Sequence, residues 1–454
     1  MATEVNSYQD FLRAKQQLAG GCGFKPLWMP SFLKDFQKYL VDWQIRMGTG
    51  AIYADCGLGK SPIELVCADN IVRKTNGNVL LLTPLAVSAQ MLREAEKFGI
   101  EAKRTRNGEV HKGINITNYE RLDKYDPSDF EGCIADEGSI IKNFEGATRR
   151  LVTDFMNKVK YRMIATATPS PNDFMELGCS AEALGVMARN SMLGMFFTND
   201  GDTTQQWRLK GHAKKRFWQW LASWARAIRM PSDLGFRDNE FILPKLDTQY
   251  IKVPSKAVGV LSPVQISSLS ELRSECRKTL EVRCNKVAYC VPKDRPFLAW
   301  CHLNAEGDLL KRLIPGSVQV KGSDSDDFKE ESFLAFTDGE IKCLITKPRI
   351  GGFGMNWQHC SDVAYFPTYS HEQYYQAVRR CWRFGQRRLV TSYLIYSEAM
   401  QIVVDAMLRK ERQAIELYGG ICREMHASIE DRKEEFAGNG RIQLPKWMDK
   451  CKSK

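Results

Sequence analysis

The string Ala54-Asp-Cys-Gly-Leu-Gly-Lys60-Ser61 follows the apolar run Ala51–Ala54 and precedes a stretch with helical spacing, Pro62–Lys74. Gly57 and Gly59, on either side of Leu58, free the backbone to turn its N–H groups toward a phosphate chain. The N-terminus of the helix that follows adds its positive end. Lys60 can then reach the β- and γ-phosphates of a nucleotide, and Ser61 can bind Mg²⁺. Pro62 falls in the first helical turn, where a missing N–H costs little. A glycine-rich turn alone is a weak signal, but Gly-Lys-Ser between a strand and a helix is a strong one.

Cys133-Ile-Ala-Asp136-Glu137-Gly-Ser139 ends an apolar run in paired carboxylates. If that run is a strand of the same sheet, both acids emerge at its C-terminal edge beside the phosphate loop. Asp136 is then suited to hold Mg²⁺, and Glu137 to orient and deprotonate an attacking water. Two exposed acids at a strand end are a common arrangement. The phosphate loop lies far enough upstream, however, for βαβ units to fit between. Ala165-Thr166-Ala-Thr168-Pro169 places hydroxyls where they either cap a strand or bridge the acid pair to a second domain.

A second set of strings lies downstream. Thr346 ends an apolar run and leads into Gly351-Gly352-Phe-Gly354-Met-Asn356, whose glycines permit close backbone approach to a ligand. Gln376, Arg380 and Arg383 recur at i, i+4 and i+7, so one helical face is expected to carry all three. Such a face suits charge developing on a transferred phosphoryl group. Read alone it is an amphipathic helix with a basic solvated side, and the phosphate loop in the same chain favours the chemical reading.

The elements that must position these groups alternate. Ala51–Ala54, Val79–Leu82, Gly113–Asn118, Gly132–Ala135 and Tyr161–Ala165 read as buried strands, with helix-like segments such as Ser88–Phe98 between them. That alternation predicts βαβ units and a parallel sheet. Phe297–Cys301, Ser317–Val320, Lys342–Ile345, Asp362–Phe366 and Val390–Ile395 predict a second sheet. Between the blocks, Asp173–Asp238 is rich in Met, Phe and Trp, with Phe217, Trp220, Leu221 and Trp224 at helical spacing. It is either a helical insertion with an aromatic core stripe, or, given Lys214, Lys215, Arg216, Arg226 and Arg229, a nucleic-acid surface. Leu243–Pro254 reads as an extended connector, and the chain after Gly419 as a charged solvated tail with Lys446, Lys450, Lys452 and Lys454.

Composition sets the outer bounds. A chain of 454 residues with 43% hydrophobic and 26% charged residues fits an ordinary globular protein of two or three domains. The longest uncharged stretch, near Asn78–Leu92, is too short and too polar to span a bilayer. The first residues carry no basic, apolar leader, so a cytoplasmic location is expected. The formal charge of +11 suits a polyanionic partner. The 14 cysteines include no Cys-x-x-Cys pair, which points to reduced, buried thiols rather than zinc or disulfides.

Taken together, these strings resemble motifs I, II, III, V and VI of helicase superfamily two. Phe36-Gln37 resembles its Q-motif, and Leu81-Leu-Thr83-Pro84-Leu85 its motif Ia. The ending Arg383-Phe-Gly-Gln386 is similar to that of Swi/Snf-type DNA-dependent ATPases, and the whole chain resembles compact helicase-like proteins of bacteriophages and prophages. For such a phage protein the expected location is the bacterial host's cytoplasm. The resemblance implies an α/β fold of two tandem RecA-like domains with a helical insertion. The expected boundaries are 1–245 (insertion about 173–240), a connector and helical segment over 246–295, 296–418, and a tail over 419–454. It also implies ATP and Mg²⁺ in the cleft, and double-stranded or branched DNA as partner. Gln37, Gly354 and Asn356 would serve the nucleotide, while Thr83, Pro84 and Thr346 would meet the nucleic-acid backbone. Translocation on duplex DNA, strand separation or branch migration, and non-hydrolysing nucleotide-gated binding within a restriction or defence assembly all remain open. Two positions depart from the pattern: Ser139 stands where many relatives have His, and Arg379 where motif VI has Gly.

Overall fold

The computed structural model describes residues 22–85, 87–142, 146–199, 207–255, 268–351 and 355–437. The first lobe is built on β1 (Thr49–Ala54), β2 (Val79–Thr83), β3 (Ala102–Arg104), β4 (Ile114–Asn118), β5 (Gly132–Asp136) and β6 (Tyr161–Ala165). A short antiparallel hairpin follows, β7 (Phe197–Asn199) with β8 (Trp207–Leu209), and then β9 (Ala225–Ile228). Apart from the hairpin these strands form one parallel sheet, ordered β3-β4-β2-β5-β6-β1-β9. Strands β1, β2, β4 and β5 are buried at every position, as strands with helices on both faces must be.

The second lobe repeats the plan with β10 (Leu246–Val253), β11 (Phe297–Trp300), β12 (Val318–Gln319), β13 (Cys343–Thr346), β14 (Asp362–Tyr365) and β15 (Val390–Ser397). They form a second parallel sheet, ordered β10-β15-β14-β11-β13-β12. The two lobes are RecA-like α/β domains. A fully buried ion pair, Arg283–Glu306 at 2.9 Å, ties two helices of the second lobe together. The other Glu306 oxygen accepts the backbone N–H groups of His302 and Leu303, so both oxygens are partnered.

The expected strands are present, and three expectations about the connections are corrected. The Leu243–Pro254 connector is largely strand β10, which pairs with β15 from Leu246 to Val253. Its half-exposed edge position hid the apolar alternation that marks a strand. The 173–240 insertion is not wholly helical. Beyond its hairpin it supplies β9, which pairs with β1 on the first sheet. Its aromatic stripe is core, with Phe217, Leu221 and Trp224 buried, and Arg226 is buried over the Trp43 ring rather than on a surface. The tail expected from Gly419 begins as part of a single helix, Gln401–Ala437. Leu417, Tyr418, Ile421, Cys422 and Met425 of that helix pack into the first lobe's core. Gly420 lies against the Trp218 ring, where an added Cβ would come within 2.6 Å. The charged residues mask this apolar stripe in a composition count. The lysines at 446, 450, 452 and 454 lie outside the described residues.

Candidate functional site

Strand order assembles the first half of the site. β6 lies between β1 and β5, so the phosphate loop, the Thr166–Thr168 segment and the acid pair leave adjacent strands at one sheet edge. Gly57 and Gly59 have φ of 88° and 78°, a region that side-chain-bearing residues enter only with strain. The loop delivers Lys60 at the start of the helix Lys60–Thr75. Its ammonium donates to the Ala54 carbonyl at 3.3 Å. Burial opposes that charge, but Glu137, Asp136 and Glu64 outweigh it and hold the lysine above its ordinary pKa.

Asp136 is buried, accepts the Glu137 N–H at 2.9 Å, and is pushed up to about 7 by burial and the Glu137 charge against the pull of Lys60. Glu137 itself has φ of 50°, an unusual conformation for a residue with a side chain. Its carboxylate accepts the Thr166 hydroxyl at 3.3 Å. Thr168 donates its N–H to Thr166 Oγ1 at 3.1 Å and its hydroxyl to Glu372 of the second lobe at 3.1 Å. The bridging reading of these hydroxyls is the one the structure contains.

Gln37 is buried with both polar atoms of its amide bonded: Oε1 accepts the Lys34 N–H at 2.9 Å and Nε2 donates to the Leu58 carbonyl at 2.9 Å. It therefore braces the phosphate loop in this arrangement. Ser61 is partly covered beside Lys60. Thr83, Pro84 and Thr346, expected at the nucleic-acid backbone, are buried. The two hydroxyls donate to the carbonyls of Thr117 and Val320. They end fully buried strands, and their side chains point into packing. Asn356 is exposed, and Gly352 and Gly354 lie outside the described residues.

The second half comes from the segment after β14. The helix runs only from His371 to Val378, so Arg380 and Arg383 do not continue the face of buried Gln376 as the spacing predicted. They converge through the turn that follows, both donating to the Met355 carbonyl, at 3.3 and 3.4 Å. Neither forms an ion pair among the described residues, and the Nε of each is buried without a partner. Burial lowers both, Arg383 to about 10 with the added repulsion of Arg380. Two shielded guanidinium groups side by side with no acid of their own make a site for an anion.

Sequence reasoning missed two groups here. Glu64 has no exposed surface, and its carboxyl is a hydrogen-bonding neighbour of Asp136. Burial first, then the Asp136 charge, pushes it well above the ordinary carboxylate range. Its position four residues after Lys60 was a usable signal, since i and i+4 share a helical face. Arg379 lies across the lobe boundary, with Nη2 2.9 Å from Asp55 Oδ2 and 2.8 Å from the Cys56 carbonyl. Nothing in the sequence pairs it with Asp55.

Among the described residues, no group of three or more His, Cys, Asp or Glu side chains is arranged to enclose a metal ion, and no helix is long and apolar enough to cross a membrane. The donors present at the cleft are oxygens, the kind a hard divalent cation takes. Such a cation, shared with bound phosphates, needs only one or two carboxylates.

No family model matches the chain, and no curated protein matches it. Among solved structures the chain is similar to one described as the Sulfolobus solfataricus SWI2/SNF2 ATPase core in complex with dsDNA. Identity is 15% over 90% of this chain and 97% of that one, with a TM-score of 0.42, an overlap too loose to carry any argument about chemistry.

Proposed function

We propose that this chain is an ATPase that closes two lobes around Mg·ATP and couples hydrolysis to movement along double-stranded DNA. One observation carries the catalytic part. The second-lobe turn that holds Arg380 and Arg383 is seated directly on the phosphate loop, with Arg379 bonded to Cys56 and Phe384 against Gly57. An added Cβ on Gly57 would come within 3.0 Å of the Phe384 ring.

In this reading the loop amides of Gly57, Leu58 and Gly59 cradle the phosphates, and Lys60 neutralises the β- and γ-oxygens. Magnesium, held by Ser61 and Asp136, would supply positive charge across those oxygens. Glu64 and Asp136, both buried and both raised, share a pocket whose negative charge is incompletely met, which fits an incoming cation. Glu137 orients the attacking water and takes its proton, with Thr166 fixing its carboxylate. Arg380 and Arg383 stabilise charge on the transferred phosphoryl group.

The duplex track is proposed from the motif resemblance and the charge of +11; contact would go to phosphates and weaken with salt. Phosphate release measured with duplex DNA, single-stranded DNA, forked DNA and RNA tests the reading. The expected result is stimulation by duplex DNA, with ATP-driven displacement of a triplex strand. Fork opening without triplex displacement would favour strand separation or branch migration. No phosphate release under any condition would leave a nucleotide-gated binding module.

A further inference from the structure

The helix His371–Val378 and its C-terminal residue present a second face, distinct from the arginine pair. Glu372, Tyr375 and Arg379 stand at i, i+3 and i+7, and all three side chains cross to the first lobe. Glu372 accepts the Lys142 ammonium and the Thr168 hydroxyl. The Tyr375 hydroxyl donates to Asp55 Oδ1. Arg379 takes Asp55 Oδ2 at 2.9 Å and the Cys56 carbonyl at 2.8 Å. The Arg379 side chain has no exposed surface and lies 5.0–5.6 Å from the ring centroids of Tyr375, Trp382 and Phe384. Its Nε and Nη1 have no partner.

From this ridge we infer that Arg379 is a positioning residue. With Tyr375 it clamps Asp55 and so fixes the register of the second lobe on the phosphate loop through contacts of the chain itself. The Asp55 carboxylate is held from both sides: Oδ1 accepts the Cys56 N–H at 2.5 Å as well as Tyr375, and Oδ2 takes Arg379. That leaves the loop no freedom to turn relative to the ridge. Arg380 is the next residue, so any error in where Arg379 sits passes directly to its guanidinium. A buried charge pair is costly to break from one side, because the remaining charge stays desolvated. The lobes are therefore held closed by default rather than brought together by the ligand alone. The catalytic consequence rests on the ATPase reading above, whereas the clamp itself does not.

The test uses the full-length chain without nucleotide, with spin labels attached through an unnatural amino acid at exposed Asp123 and Asp338. Thiol labelling is avoided because Cys22 and Cys56 are partly accessible. The wild type should give one narrow interlobe distance. Asp55→Asn and Arg379→Gln should each broaden it, and the double variant should broaden it no further. Tyr375→Phe, which removes one hydroxyl and spares the fold, should broaden it partially. Steady-state hydrolysis should show the same pattern, with a loss of roughly a hundredfold in kcat for either single variant, little change in KM, and no further loss in the double. A wild-type distribution that is already broad, or one that stays narrow in all variants, overturns the clamp. So do losses in kcat that multiply in the double variant. If the wild type hydrolyses nothing, the ATPase reading fails while the distance measurement still decides the clamp.

Discussion

The first lobe meets the cleft with Glu64, Asp136 and Glu137 crowded around one lysine, whereas the second brings Arg380 and Arg383, neither in an ion pair among the described residues. Arg379 adds a contrast within a single turn. It is as buried as its neighbour Arg380, yet against that burial Tyr375, Asp55 and Cys56 hold it above its ordinary pKa, while Arg380 is lowered by burial. Burial is common to all of these groups; a partner of opposite sign is not. The difference separates groups that hold the molecule together from groups whose charge is still to be met. In the proposed reading a magnesium nucleotide, cationic on one side and anionic on the other, would meet both deficits.

The largest effect should come from the unpaired arginine. Arg380→Ala is expected to lower kcat by about 10³-fold or more, as removal of an arginine finger does, with intact binding of a fluorescent nucleotide. A loss below about tenfold would move Arg380 into the structural class with Arg283. Glu137→Gln should bind nucleotide and lose turnover by about 10²–10⁴-fold, read by single-turnover phosphate release. Retained turnover would place the water-activating group elsewhere.

Glu64→Gln sharpens the electrostatic side of the comparison. Glu64 is held well above the ordinary carboxylate range, so the folded chain binds a proton that the unfolded chain releases. That costs stability as pH rises above the unfolded value. The glutamine variant should therefore melt higher than wild type without nucleotide. The gap should widen from pH 5 to pH 8 and reach about 1–2 kcal/mol. A gap independent of pH would mean that Glu64 is not the source.

An effect of similar size to that of Glu64 concerns the ridge helix. His371 is buried and lowered to about 4 by burial and Lys410. The unfolded imidazole takes up a proton below about pH 6.5 and the folded one does not, so stability rises with pH in this window and is lost on acidification. Chemical denaturation at pH 7 and pH 5 should show a loss near 2 kcal/mol at most from this residue, removed in His371→Gln. An equal loss in the variant would assign the acid sensitivity to other groups.

Much of the candidate site was legible because phosphate chemistry constrains residue type and spacing together. Gly57, Gly59, Lys60 and Ser61 are contiguous, and a strand–loop–helix is the setting such a loop requires. Asp136 and Glu137 were equally readable at the end of an all-apolar run. The helical face drawn through Gln376, Arg380 and Arg383 failed because nothing in that string announces the end of the helix at Val378. Strand β10 failed because an edge strand with one wet face lacks a buried strand's apolar run. The helix Gln401–Ala437 was hidden by its own charged positions, although its stripe at Leu417, Tyr418, Ile421, Cys422 and Met425 has helical spacing.

By itself the sequence determined the alternation of strands and helices, the two parallel sheets and the residue types at each strand end. Local periodicity and the backbone demands of glycine are properties of neighbouring residues. Only the tertiary structure decided which of three arginines is paired and which two are not. It also decided that Glu64 is buried against Asp136 and that Thr83 and Thr346 face inward. Those outcomes depend on which distant groups share a volume closed to water, and that is set by how the lobes pack.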